Sequence, residues 1–195
     1  MGNIAYVLLP RGLADWEPAL VMVKINSGTN FKIVTVGFSK SPVTSIGGMT
    51  ALPDIELSEV DIDSAAAFII PGAKFWEDND TPEDLSNLLV ELHERKIPIA
   101  VICAATLIPA RLGMYKGTKH TSNSVAYLKE RFPDYGDERT YIDTMAASDN
   151  GLITASGLGY VEFAVEILKS LNILKSDDEA RAWHDLVKHG IVPDG

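Results

Sequence analysis

One residue in the chain can act as a strong nucleophile, and it occurs once: Cys103, within AVICAATLIPARLGMYKGTKHTSN from Ala100 to Asn123. A thiol reacts as its thiolate, which free N–H groups and the positive end of a helix stabilise. The preceding IAVI reads as a strand ending at Ile102, and Ala104, Ala105, Leu107, Ile108, Ala110, Arg111 and Leu112 favour a helix starting almost at once. Cys103 therefore falls on a strand-to-helix turn, the setting of a nucleophile elbow. Pro109 dissents, since a proline inside a helix removes a hydrogen bond and can kink the chain. The competing reading is a small, inert core cysteine.

The second candidate is Glu17 in ADWEPAL, near the start of the helix that follows the first strand. A carboxylate there favours the helix dipole whatever else it does. If Glu17 also meets Cys103, two anions would repel, so one of the pair keeps its proton, and a protonated glutamate could donate a hydrogen bond to a thiolate. Open α/β sheets place ligands at the carboxyl ends of their strands, where both residues would lie.

Other signals carry less. His184 and His189 in HDLVKH stand five apart, which does not put them on one helix face, and no cysteine or carboxylate cluster completes a metal site; no metal is assigned. No dinucleotide fingerprint or Walker loop follows a strand, and SGLG (Ser156 to Gly159) reads as the opening of the YVEFAVEIL helix, so no cofactor is expected. Trp16, Phe75 and Trp76 read as pocket walls or as core and rim packing. Glu77 opens EDNDTPED, a charge run that reads as a solvated loop leading into a helix.

The elements that must position these residues alternate between two periods. IAYVLL (Ile4 to Leu9), FKIVTVGF (Phe31 to Phe38), AAAFII (Ala65 to Ile70), IAVI (Ile99 to Ile102) and LITA (Leu152 to Ala155) are short and mostly apolar, as doubly covered parallel strands should be. Trp16, Ala19, Leu20 and Val23 share a helical spacing, as do Leu85, Leu88, Leu89 and Leu92. Thr81 followed by Pro82 and Asp84 predicts the start of that second helix. Val161 to Leu171 predicts another, and Ser176 to Glu179 a capping box opening a last one through Trp183 and Leu186. VTSIGGMTA (Val43 to Ala51) reads as a hairpin around Gly47 and Gly48. The class is α/β, with a mostly parallel sheet covered by helices on both faces.

Composition narrows the partners. The 195 residues are expected to form one domain, spanning 1–195, with 46% hydrophobic and 23% charged residues. A net charge of −10 argues against nucleic acid and anionic membrane as partners. Every apolar run falls well short of the about 20 residues that cross a bilayer. With one cysteine, and no charged-then-apolar signal ahead of IAYVLLP, the expected location is the cytoplasm.

ADWEPA, IIPGAKFWED, IAVICAATLIPARLGMYKGTKHTSN and LITASGLGYVEFAVEIL, in this order and spacing, resemble the ThiJ/PfpI superfamily, the family of the parkinsonism-associated protein deglycase. The resemblance covers nearly the whole chain and implies a flavodoxin-like three-layer sandwich and a homodimer. It implies a reactive Cys103 contacted by Glu17, with an oxyanion-binding region at Gly72 and the N–H of Ala73 or Ala104. Two departures stand out. Ala104 replaces the histidine that follows the cysteine in protease-like members, and Ala105 replaces a common elbow glycine. The deglycase-branch histidine position falls on Asn123, suited to orienting a substrate; His120, three residues earlier, is a candidate base or a structural histidine.

The resemblance therefore implies a cysteine-dependent enzyme acting on a small molecule, either a hydrolase or a glyoxalase- or deglycase-like activity. The missing histidine makes peptide hydrolysis the weakest version. Two alternatives remain: a redox-responsive or chaperone-like protein, in which Cys103 is oxidised and Glu17 bonds the product, and a glutamine amidotransferase-like domain. The last would use a late histidine and glutamate, of which only Glu162 is present.

Overall fold

A computed structural model describes residues 2–192. The elements run β1 (Ile4–Leu8), α1 (Trp16–Asn26), β2 (Lys32–Gly37), β3 (Val43–Thr44), β4 (Thr50–Ala51), β5 (Ile55–Glu56), β6 (Ala65–Ile70), α2 (Lys74–Asp78) and α3 (Glu83–Glu94). They continue with β7 (Ile99–Ile102), α4 (Leu107–Arg111), α5 (Val125–Arg131), β8 (Ala146–Asp149), β9 (Leu152–Ala155), α6 (Tyr160–Ser170) and α7 (Asp177–His189).

Seven strands form one sheet in the order β5-β2-β1-β6-β7-β9-β8. All its pairings are parallel except β8 with β9. This is the flavodoxin-like α/β arrangement expected from the alternation. Because successive side chains point to opposite faces, each central strand feeds two cores. Tyr6, Leu8, Phe68, Ile70 and Val101 pack with Leu85, Leu89 and Leu92 of α3 on one face. Ala5, Val7, Ile69, Ala100 and Ile102 pack with Val21 of α1 and Phe163 and Ile167 of α6 on the other. Cys103 touches both clusters, at the edge where they meet.

Three elements depart from the sequence reading. The helix expected to start at Thr81 begins at Glu83, because Pro82 stays extended and its carbonyl closes the first turn by accepting from the Ser86 N–H. Glu77 lies inside α2 rather than in a solvated loop. β8 was not expected at all, yet Asn150 (φ 49°) and Gly151 (φ 76°) make the two-residue, left-handed turn that joins antiparallel strands.

The expected hairpin exists as β3 paired with β4, and it is fastened to the segment between β1 and α1. The Gly12 and Ile46 amides donate to the Thr44 and Leu13 carbonyls, and Gly47 N–H donates to Asp15 Oδ2 at 2.7 Å. At the other end of the chain, Ser176 accepts from Glu179 N–H and caps α7 as predicted. The five-residue spacing of His184 and His189 does not keep them apart: their ring centres lie 5.7 Å from each other.

Candidate active site

β7 ends at Ile102 in extended backbone, and Cys103 then turns into the left-handed region at φ +58°. That conformation costs a residue with a side chain roughly 1–3 kcal/mol, so the surroundings must enforce it. The enforcement is visible in the turn that follows. Ala104, Ala105 and Thr106 are buried, Thr106 Oγ1 donates to the Cys103 carbonyl at 2.5 Å, and the same hydroxyl meets Ser122 Oγ at 2.7 Å. Residues Cys103–Thr106 form a tight 3₁₀ turn before α4 begins, which places Pro109 in the first turn of α4, where a missing N–H removes no helix bond.

Two glycines clasp the cysteine. A Cβ on Gly72 would stand 2.8 Å from Cys103 Cβ and 2.9 Å from Glu17 Oε2. A Cβ on Gly157 would stand 2.9 Å from Cys103 Sγ. In the sequence Gly157 marks only the opening of a helix; its second role depends on the β9–α6 loop folding back over the thiol. Asn123 links the two, accepting the Gly157 N–H through Oδ1 at 2.9 Å while Nδ2 lies 3.5 Å from Sγ.

Glu17 is the second residue of α1 and is 0% exposed, so its carboxyl does far more than face the helix dipole. Oε2 accepts the Gly72 N–H at 2.5 Å, whereas Oε1 has no hydrogen-bond partner among the described residues. Burial pushes this carboxyl up to about 7, against the opposing pull of the Gly72 N–H and the Cys103 thiol. The Gly72 amide, expected among the oxyanion donors, is thus occupied by Glu17. Ala73 stays extended ahead of α2, and the Ala104 N–H acts on the Cys103 sulfur.

The thiol does not behave as a helix N-terminus alone would dictate. Burial, and next the Glu17 charge, push Cys103 up to about 11, outweighing the Asn123 and Ala104 donors. Desolvation and a like charge both penalise the thiolate, and here they exceed the fields that favour it. Of the pair, the carboxyl gives up its proton first.

His120 sits elsewhere in purpose. Its ring stacks on Tyr115 with centres 3.7 Å apart, Nδ1 lies 2.9 Å from the Thr118 carbonyl and Nε2 lies 2.8 Å from the Tyr135 hydroxyl. A carbonyl only accepts, so Nδ1 carries the proton and Nε2 accepts from Tyr135, leaving no free lone pair for catalysis. Burial lowers its pKa further. Trp76 is fully buried with Nε1 bonded to the Pro71 carbonyl, while Trp16 heads α1 at 47% exposure.

One polar group beside the site was not anticipated. Tyr127 of α5 donates to Glu77 Oε1 at 2.8 Å, and a charge on Cys103 is close enough to act on its hydroxyl. Tyr127 lies outside the recognisable motifs and Glu77 reads as part of a charge run, so only the folding of the chain brings the two together. A cavity of about 720 Å³ beside Ala65 and Pro98 opens at the opposite end of the strands and has no part in this arrangement.

Comparison with known proteins agrees with the fold. A protease of Bacillus subtilis (strain 168), YoaZ, described as uncharacterised, is 36% identical over 190 residues, covering 94% of this chain and 90% of its own. The crystal structure of the DJ-1 superfamily protein Atu0886 from Agrobacterium tumefaciens is 35% identical with a TM-score of 0.85, covering 97% of this chain and all of that one (100%). A ThiJ/PfpI family protein from Bacillus anthracis is 30% identical with a TM-score of 0.88, over 98% of this chain and 92% of that one. The DJ-1/PfpI family profile matches residues 3–170, and with relatives at this identity along almost the full length, the chain belongs to the DJ-1/PfpI family.

Proposed function

We propose that the chain is a cysteine-dependent enzyme acting on a small carbonyl substrate, glyoxalase- or deglycase-like in its chemistry, with small-amide hydrolysis as the lesser form. The observation that carries this reading is Glu17: a fully buried carboxyl beside Cys103, with Oε1 unpartnered among the described residues and a pKa raised to about 7. A base is most effective when its pKa lies near the working pH. A thiol pushed up to about 11 needs such a base, and His120 has no nitrogen to offer.

In the proposed step, the Cys103 sulfur forms a bond to an aldehyde carbon as its proton passes to Glu17 Oε1. The carbonyl π pair moves to oxygen, which takes the proton back from Glu17 to give a hemithioacetal; nothing is oxidised or reduced. The N–H groups of Ala73 and Ala104 are assigned to the developing oxyanion, and Asn123 and Trp16 to substrate contact. Addition to an aldehyde needs only this one relay. Peptide hydrolysis also demands protonation of an amine leaving group, for which no histidine is at hand.

A second reading has one observation in its favour: the Asn123 amide and the Ala104 N–H both act on the sulfur and could hold an oxygen added to it. A raised thiol pKa works against it, since the thiolate is the form that peroxide oxidises. The amidotransferase reading weakens because Glu162 bonds His184 and Lys188 of α7. A homodimer is included on family grounds.

The test is turnover of glyoxal and methylglyoxal, with small amides in parallel, by wild type, Cys103→Ser and Glu17→Gln. Aldehyde consumption abolished in both variants supports the reading. Turnover that survives in Cys103→Ser, or a wild type inert toward every aldehyde and amide, sinks it.

A further inference from the structure

Away from Cys103, α6 and α7 bring together a second set of chemistry-bearing side chains. His184, Asp185 and His189 each offer one ligand atom, and these atoms all lie within 4.8 Å of one another. Asp185 and His189 are four apart on one helix face, and His184 reaches the same point from the neighbouring position. The His184 ring lies between two carboxylates, with Nδ1 3.1 Å from Asp185 Oδ1 and Nε2 3.1 Å from Glu162 Oε1 of α6. Lys188 Nζ bonds the same Glu162 oxygen, so that carboxylate is already engaged. Glu162 and His184 also border a cleft of about 490 Å³ between β8, α6 and α7.

We propose that His184, Asp185 and His189 form a binding site for a divalent transition-metal ion of the Zn²⁺ type, with Glu162 orienting the His184 ring from outside. Two imidazoles and one carboxylate suit Zn²⁺, Ni²⁺ or Cu²⁺, and not Mg²⁺ or Ca²⁺, which take oxygen ligands. With Nε2 turned to Glu162, Nδ1 is the ligand nitrogen, and a carboxylate bonded to the far ring nitrogen is the usual partner of a metal-bound histidine. Nδ1 and Asp185 Oδ1 at 3.1 Å cannot both present lone pairs to each other; a proton or a cation must lie between them. Tetrahedral coordination with Zn–N bonds of about 2.1 Å sets ligand atoms about 3.4 Å apart. His189 is exposed, and an inward rotation of its side chain would close that gap. The three ligands leave a fourth position to water at the mouth of the cleft, and an ion there would fasten the last turn of α7.

This site does not depend on the role of Cys103, and its test removes the competing thiol. Cys103→Ser would be titrated with Zn²⁺ against a chromophoric chelator, and with Co²⁺ for its visible spectrum. One equivalent bound, with Co²⁺ bands typical of nitrogen and oxygen ligands, is expected. His189→Ala should weaken binding about tenfold or more, and Glu162→Gln about tenfold through the outer carboxylate. His189 is exposed, so its loss leaves folding intact; helicity by circular dichroism checks this. A folded Cys103→Ser protein that takes no Zn²⁺ from the chelator overturns the proposal, as does equal affinity in His189→Ala.

Discussion

The Gly72 amide donates to Glu17 Oε2 at 2.5 Å, so the carboxyl that borders Cys103 is gripped by backbone on one oxygen and left open toward the thiol on the other. That asymmetry makes one residue both a buried liability and, in the proposed mechanism, the base, and separates its effects on stability and on rate.

The rate of aldehyde turnover should follow Glu17. A general base acts when ionised, and this carboxyl ionises near pH 7, so kcat/KM should rise with pH through about 7 and level above it. Glu17→Gln keeps an acceptor for Gly72 and loses the base; a fall of about 10²–10⁴-fold is expected from kinetics across pH. A profile flat through neutrality would contradict the assignment.

Stability should move the opposite way. The folded-state pKa of Glu17 lies above its unfolded value, so the native state binds more protons between about pH 4.5 and 7 and loses stability as pH rises through that window. The loss is about 3 kcal/mol at most, because the shift from 4.5 to about 7 sets its size. Urea unfolding should therefore find Glu17→Gln more stable than wild type at pH 8 and closely matched to it at pH 4.

Alkylation of Cys103 by iodoacetamide should report the same pair. Burial and the Glu17 charge both hold the thiol up, so wild-type reactivity should climb toward about pH 11. Removing the charge in Glu17→Gln lowers the thiol pKa while burial keeps it above that of a free cysteine, about 8.5. Alkylation of Glu17→Gln at pH 8 should thus be faster than that of wild type.

Gly157→Ala tests the second clasp. Its Cβ would sit 2.9 Å from Sγ, tighter than any ordinary contact, so either the thiol or the loop moves. Overpacking of this kind costs about 1–3 kcal/mol. Reduced turnover with the urea midpoint shifted down is expected; unchanged kinetics would mean the loop yields freely.

His120→Phe should separate structure from catalysis. It removes two buried hydrogen bonds and leaves Tyr135 unpaired, which costs about 1–3 kcal/mol in unfolding free energy. Turnover per folded molecule should stay near that of wild type. A large loss in kcat with unaltered stability would restore His120 as a base.

Much of this was legible in one dimension. Doubly covered strands announce themselves as short apolar runs, and Cys103 stands between one such run and a helix-forming segment, so the elbow followed from local propensity. The place of Glu17 at the opening of the helix after the first strand is local in the same way. The left-handed turn at Asn150-Gly151 was equally local and could have identified β8, since that dipeptide favours the two-residue hairpin.

The sequence by itself determined the layered α/β fold and the position of Cys103 on its strand-to-helix turn, because both rest on periodicity and on turn chemistry within a few residues. Only the tertiary structure decided how the thiol is poised, since desolvation and charge depend on what long-range packing places within a few ångströms. Gly72, Gly157 and Asn123 meet Cys103 from three separate loops, Tyr127 meets Glu77 across two helices, and His120 turns its nitrogens to Thr118 and Tyr135. No spacing along the chain encodes those distances.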